Sequence, residues 1–219
     1  MHEKHKSYYR PLPWDGRYRL WSGFCLRGGQ TTKNTKKHEE QNKEFWKRER
    51  ESNTVRKKDI SALNYIIIPD TLPVPVDCSG SEGSKLKTAL NNFYTFKDKK
   101  MLNLTGKSNT DLKAAYGAAN LDALSEYDEN CTQMLKSIIP LATELNKSGL
   151  TDEAAAYLEF GISCHTDITQ NYIMLGEYYA SKGNKDKIQH LVNVAESLDS
   201  LTKKNIISRL DSILLTLNS

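Results

Sequence analysis

The sequence has no apolar run long enough to cross a bilayer, and residues 1–30 hold no apolar stretch of the kind a secretory signal needs. Four cysteines, Cys25, Cys78, Cys131 and Cys164, lie far apart with no C-x-x-C pair. That excludes the usual zinc and dithiol motifs and predicts free thiols in a reducing, cytoplasmic setting. The sequons at Asn103, Asn130 and Asn146 then carry no sugar, since glycosylation needs secretion. A complete phosphate loop is also missing. Thr105-Gly106-Lys107-Ser108 has the end of one, but Met101 stands where its first glycine belongs. Cys164-His165 are chain neighbours rather than a nucleophile with a base brought across space. His165 and His190 fit no metal spacing, and Asp122, Glu126 and Asp128–Glu129 read as a solvated acidic face. The expectation is a protein with no catalytic residues, no metal and no cofactor.

Charge is unevenly spread. The formal total is +4, yet residues 1–38 hold nine Lys/Arg against Glu3 and Asp15, a balance of +7. The remaining residues carry 22 basic against 25 acidic side chains, or −3. Aromatics in residues 1–38 follow no period, so the segment reads as a disordered basic tail. Its composition also supports an alternative function, binding of nucleic acid or an anionic membrane surface through the tail.

Residues 39–62 read as a charged, solvated helix ending near Asn53 or at Arg56-Lys57-Lys58, with Glu39–Lys43 and Glu44–Arg48 as i,i+4 pairs. Residues 63–84 follow as an extended strap and linker. Tyr65–Ile68 is a short β-type run closed by Pro69, and Pro73 and Pro75 forbid a continuing ladder. Tyr65 and Ile67 are expected to lie against the helices, with residues 77–84 as a flexible joint. Residues 85–219 then form a helical domain. Leu86, Leu90 and Phe93 predict a helix from Lys85 to Phe96. Asn109 or Thr110, Asn120 and Thr151 are the expected helix caps, and Gly117 a left-handed exit. Pro140 predicts a kink near Ser137–Pro140, or two helices meeting there.

Within that domain a unit recurs. Gly149 and Gly183 are 34 residues apart, and apolar positions share the offset: Ile138 with Tyr172, Leu141 with Leu175, Ala142 with Gly176, Leu145 with Tyr179. Beyond the glycines, Ala154 pairs with Ile188, Leu158 with Val192, and Gly161 with Ala195. This period and its order of large and small residues resemble the tetratricopeptide repeat. A last helix to Leu217, with Ile206, Leu210, Ile213 and Leu217 on one face, suits the cap that an open stack needs. The expected fold is therefore all-α: a short tetratricopeptide-like stack of about four to five packed helices and a C-terminal capping helix. The extended strap and the disordered tail precede it.

The resemblance implies a scaffold for a protein or peptide partner rather than a specific nucleic-acid reader. Its inner helices would offer Lys136, Ile139, Thr143, Lys147, Gln170, Ile173, Glu177 and Ser181 to a groove. The Lys/Asn pairing with which some such domains clamp a peptide carboxylate is absent, since Ile139 and Thr143 stand there. Residues 44–215 also resemble a family of small proteins from Gram-positive anaerobic bacteria. The likeness lies in EFWKRERESN-x-x-RKKDIS-x-L-x-YI-x-IP (44–69), NLTG-x-SNTDLK (103–113), YG-x-x-NL-x-x-L-x-x-YD-x-N (116–130), LEFGISC-x-TDI (158–168) and SL-x-KK (200–204). That family implies a membrane anchor before the charged helix and a cytoplasmic helical domain. Here YYRPLPWDGRYRLWSGFCLRGGQ stands in the anchor's place and cannot span a bilayer.

Overall fold

The computed structural model of the chain describes residues 28–75 and 80–217. Among these residues there is no strand; the architecture is an all-α helical stack. The described residues divide into two units, with the boundary between residues 46 and 47 in the first helix.

The first helix, α1, runs Gly28–Asn53. Of the tail expected over residues 1–38, residues 1–27 lie outside the described residues, and 28–38 are the opening turns of α1. Once a charged segment such as 39–53 is helical, adding residues at its end costs little, because nucleation has already occurred. In the first unit, residues 37–46 of α1 are exposed, and Phe45 and Trp46 meet edge-on at 5.3 Å. In the second unit α1 is not simply solvated. Glu49 accepts from Thr110 at 2.6 Å and pairs with Lys113, while Arg48 reaches Asp111 at 2.8 Å.

The chain then runs extended to residue 75 along the helices. The Ile66 amide donates to the Met101 carbonyl at 2.9 Å, and Ile68 and Leu72 are buried. The register differs from expectation by one residue. Ile67 is 76% exposed, while Ile66 and Ile68 turn inward. In an extended segment alternate side chains face opposite ways, so a shift of one exchanges the buried and exposed sets. Tyr65 is half-buried, donates to the Ile60 carbonyl at 2.6 Å, and meets Tyr127 edge-on.

The second helix, α2 (Gly80–Tyr94), starts five residues before Lys85, so residues 80–84 are helix and not linker; residues 76–79 lie outside the described residues. Leu86, Leu90 and Phe93 are buried as expected. The short helix α3 (Asn109–Tyr116) is capped by Ser108 rather than Asn109 or Thr110. The Ser108 Oγ accepts from the Asp111 amide, and the Asp111 carboxylate accepts from the Ser108 amide. That occupies the serine of the incomplete phosphate loop. Gly117 leaves α3 at φ +90°, ψ 144°, a positive-φ extended conformation that favours glycine and not the left-handed helical one. Asn120 holds the N-cap position of α4 (Leu121–Lys147) as expected, but its side chain makes no capping bond; its amide donates to the carbonyls of Lys58 and Tyr116.

Pro140 lies within α4, which runs through it as one helix. The proline is on the exposed face, where water can meet the carbonyl that loses its partner. The rest is α5 (Thr151–Ser163), α6 (Thr169–Ser181), α7 (Lys185–Ser197) and α8 (Lys203–Thr216). Thr151 opens α5 without capping it, since Leu150 holds the cap position.

Both members of all seven pairs related by the 34-residue offset are buried. The two turns also close with the same pair of bonds. Gly149 N–H donates to Asn146 O and Leu150 N–H to Leu145 O; Gly183 donates to Ala180 O and Asn184 to Tyr179 O. These are Schellman closures, and Gly149 and Gly183 sit at φ +78° and +69°, where an L side chain is strained. The same closure ends α5, with His165 at φ +56° in the glycine position, donating to Ile162 O, and Thr166 donating to Gly161 O.

One large core unites α2 and α4–α8 with Ile68 and Leu72 of the extended segment. At its centre Phe93 meets Tyr157 edge-on at 5.2 Å and Phe160 at 6.2 Å. A smaller cluster of Leu102, Leu104, Leu112 and Leu124 holds α3 to the start of α4.

Candidate binding cavity

The sequence makes α5, α6 and α7 amphipathic in a way that leaves a cleft between them. On α5, Glu159, Ile162 and Ser163 are spaced 3 and 4 residues from one another, so they share a face. On α6, Leu175 and Tyr179 are four apart; on α7, Lys187, His190, Leu191 and Val194 fall on one stripe. These residues, with His165 and Asp186, line a cavity of about 540 Å³. Its floor is apolar: Ile162, Leu175 and Leu191 are buried, and Val194 is half-buried. Its lip is polar and exposed, formed by Glu159, Asp186, Lys187, His165 and His190.

The electrostatics of the lip are partly closed on themselves. The Tyr179 hydroxyl donates to Glu159, and Lys187 reaches the same carboxylate oxygen at 3.3 Å. The Lys187 ammonium also lies 4.8 Å from the centre of the Tyr179 ring, a cation–π contact. Burial, and then the bond to Glu159, push the Tyr179 phenol above its ordinary range, so it stays a donor. Asp186, by contrast, has no ion pair or hydrogen bond among the described residues, and its carboxylate faces water at the cavity mouth.

His165 reaches this lip because α5 ends in a left-handed turn. Asn103 donates its amide to the carbonyls of Cys164 and His165 at 2.8 and 3.0 Å, which fixes that turn from the side. The turn also separates Cys164, which is buried, from its exposed neighbour. Burial pushes the Cys164 thiol up to about 11 and the Cys131 thiol up to about 12, well away from a reactive thiolate. Cys25 and Cys78 lie outside the described residues. Among the described residues no group of three His, Cys, Asp or Glu is arranged to hold a metal, and no helix is long and apolar enough to cross a membrane. Of the acidic residues on α4, Asp128 serves the backbone, accepting from the Leu104 amide at 2.8 Å.

The eight residues expected to face a groove divide by helix. Gln170, Ile173 and Glu177 on α6 line a second cavity of about 610 Å³, whose opposite wall is α8 through Arg209, Ser212, Ile213 and Thr216. Lys136, Ile139, Thr143 and Lys147 lie on α4; Thr143 returns its hydroxyl to the Ile139 carbonyl, and Lys147 pairs with Glu144. Ser181, at the end of α6, donates to the Tyr178 carbonyl. The α5–α7 cavity was missed in the sequence because its residues come from three helices and one non-glycine turn. The signal available was the stripe 187, 190, 191 and 194 on α7, which mixes polar and apolar residues on a single face.

Compared with known proteins, the chain matches no family model, no curated protein and no solved structure.

Proposed function

We propose that this chain is a non-catalytic interaction module of tetratricopeptide-like repeats that seats an apolar side chain of a partner protein or peptide in the α5–α7 cavity. The observation that carries the reading is the cavity itself, a buried apolar floor beneath an exposed polar lip. Sites of that build hold one apolar anchor and orient it by few polar contacts. The repeat reading is supported by the seven buried pairs at one offset and by two turns closed by the same pair of bonds. The two described thiols are held protonated by burial, and Glu159 is engaged by Tyr179 and Lys187, so none of these three offers a ready nucleophile or base.

Selection from a random-peptide display library on the full chain tests this. Enriched peptides should lose about tenfold or more in affinity, roughly 1.4 kcal/mol, when Val194→Trp fills the cavity. His190→Trp, a change at the exposed lip that leaves the core intact, should weaken them in the same direction. A library that yields no binder, or binders indifferent to both substitutions, overturns the reading.

A further inference from the structure

We infer that the partner segment taken by the α5–α7 cavity is basic, with a lysine or arginine set two to four residues from its apolar anchor. The inference rests on the cavity being the docking site and adds the chemistry of what docks. Over residues 151–197, which build α5, α6 and α7, seven carboxylates stand against three lysines, a balance of −4 in a chain whose total is +4. One of those lysines, Lys187, is already held by Glu159 and by the Tyr179 ring. Another, Lys182, pairs with Asp152 at 2.9 Å. At the cavity mouth the Asp186 carboxylate has no ion pair or hydrogen bond among the described residues. An acidic partner would meet that carboxylate with like charge, whereas a basic one would pair with it.

Geometry sets the spacing. Asp186 and Leu191 are five residues apart on α7, so the carboxylate and the apolar floor are separated by about 7.5 Å along the helix axis. Two residues of an extended chain cover roughly 6.6 Å, and three or four residues of a helix cover about 4.5–6 Å, with the side chain supplying the rest. A single ammonium group attached directly to the apolar anchor is too short to reach both. A peptide segment is therefore a better match than a small amine.

The test uses the full chain and the peptides recovered from the display library. They should be enriched in Lys or Arg within four positions of a Leu, Ile, Met or aromatic residue. Their affinity should fall about tenfold between roughly 0.05 M and 0.5 M NaCl, as screening shortens the reach of the lip charge. Asp186→Lys should weaken them about tenfold and improve the versions in which Glu replaces the basic residue. Asp186 is exposed, so folding is preserved, and a thermal melt verifies it. Cavity-dependent peptides that are neutral or acidic, or that ignore Asp186→Lys, overturn this inference while leaving the docking site in place. Loss of all cavity-dependent binding overturns both. Self-association of the full chain that Val194→Trp abolishes would make a second copy the occupant and overturn the basic-segment inference as well.

Discussion

The side-chain carbonyl of Asn171 on α6 sits against Gly161 on α5 so closely that a Cβ added to the glycine would lie 2.7 Å from its Oδ1. Asn171 is buried, its Nδ2 donates to the Leu158 carbonyl at 2.9 Å, and Oδ1 has no hydrogen-bond partner among the described residues. The amide is thus held from one side and pressed onto the helix from the other. This contact sets how near α5 and α6 approach, and so how the cavity beside them is shaped.

Gly161→Ala should accordingly destabilise the chain although alanine favours helix. Overpacking costs about 1–3 kcal/mol, and the propensity gain returns roughly 1 kcal/mol at most. Ile138, 3.2 Å from the same Cβ position, blocks an easy shift. In an Asn171→Ala background the same substitution should turn neutral or stabilising. Chemical denaturation of the four variants gives the coupling; additive effects would show that the two residues do not constrain each other.

His165 occupies a Schellman position at φ +56°. A left-handed conformation costs a non-glycine residue about 1–2 kcal/mol, and glycine's extra freedom in the unfolded chain takes back roughly 0.5–1 kcal/mol. His165→Gly should therefore raise stability by up to about 1.5 kcal/mol, and His165→Val should lower it. A lower midpoint for His165→Gly would mean that the imidazole contributes to folding by contacts beyond the turn.

These two sites show what the sequence could and could not convey. The helices α4 to α8 are legible because sets such as Ile138, Leu141 and Leu145, Leu175 and Tyr179, and Ile206, Leu210 and Ile213 fall at helical spacing, and because Gly149 and Gly183 mark turns that need left-handed residues. The α5 exit was not, since a histidine stands where the pattern calls for glycine. Two caps lie one residue before the expected position: Ser108, Asn109 and Thr110 are all good capping residues, so sequence does not choose among them, and at α5 the cap position falls on Leu150, which has no capping side chain. The inward face of residues 65–68 depends on a register that an all-apolar run does not specify. The cavity joins Glu159 to His190 across three helices, and no local pattern reports such a meeting.

Acid should weaken the attachment of the last turns of α1 to α3. The Glu49 carboxyl is held below its ordinary value of 4.5, first by the Lys113 hydrogen bond and then by Thr110. Asp111 is likewise lowered, chiefly by Ser108, with Arg48 adding to it. A lowered carboxyl contributes stability that is complete above its unfolded value and is lost as pH falls through the folded one. Melting temperatures between about pH 7 and pH 3 should therefore drop more steeply for the natural chain than for Glu49→Gln, and the two curves should converge in acid. A gap between them that stays constant across the range would place Glu49's contribution in packing instead of charge.

The extended segment before α2 should behave as part of the core, one face only. Ile68 is 3% exposed and Ile67 is 76% exposed, so Ile68→Ala should cost about 2–5 kcal/mol and Ile67→Ala less than about 0.5 kcal/mol. The segment's far end is fastened differently. Tyr157 on α5 is fully buried, and its hydroxyl donates to the Pro73 carbonyl at 2.8 Å while lying 3.1 Å from the Tyr94 hydroxyl. Tyr157→Phe keeps the ring and its edge-on contact with Phe93 but leaves the Pro73 carbonyl without that donor, which should cost about 1–3 kcal/mol. Hydrogen exchange locates the effect. Tyr157→Phe should speed exchange at the Leu72 amide, which bonds back to Pro69, while the Ile66 amide, tied to Met101, stays slow. If Ile67→Ala costs as much as Ile68→Ala, or if both amides exchange freely in the natural chain, the segment is not packed as its residues indicate.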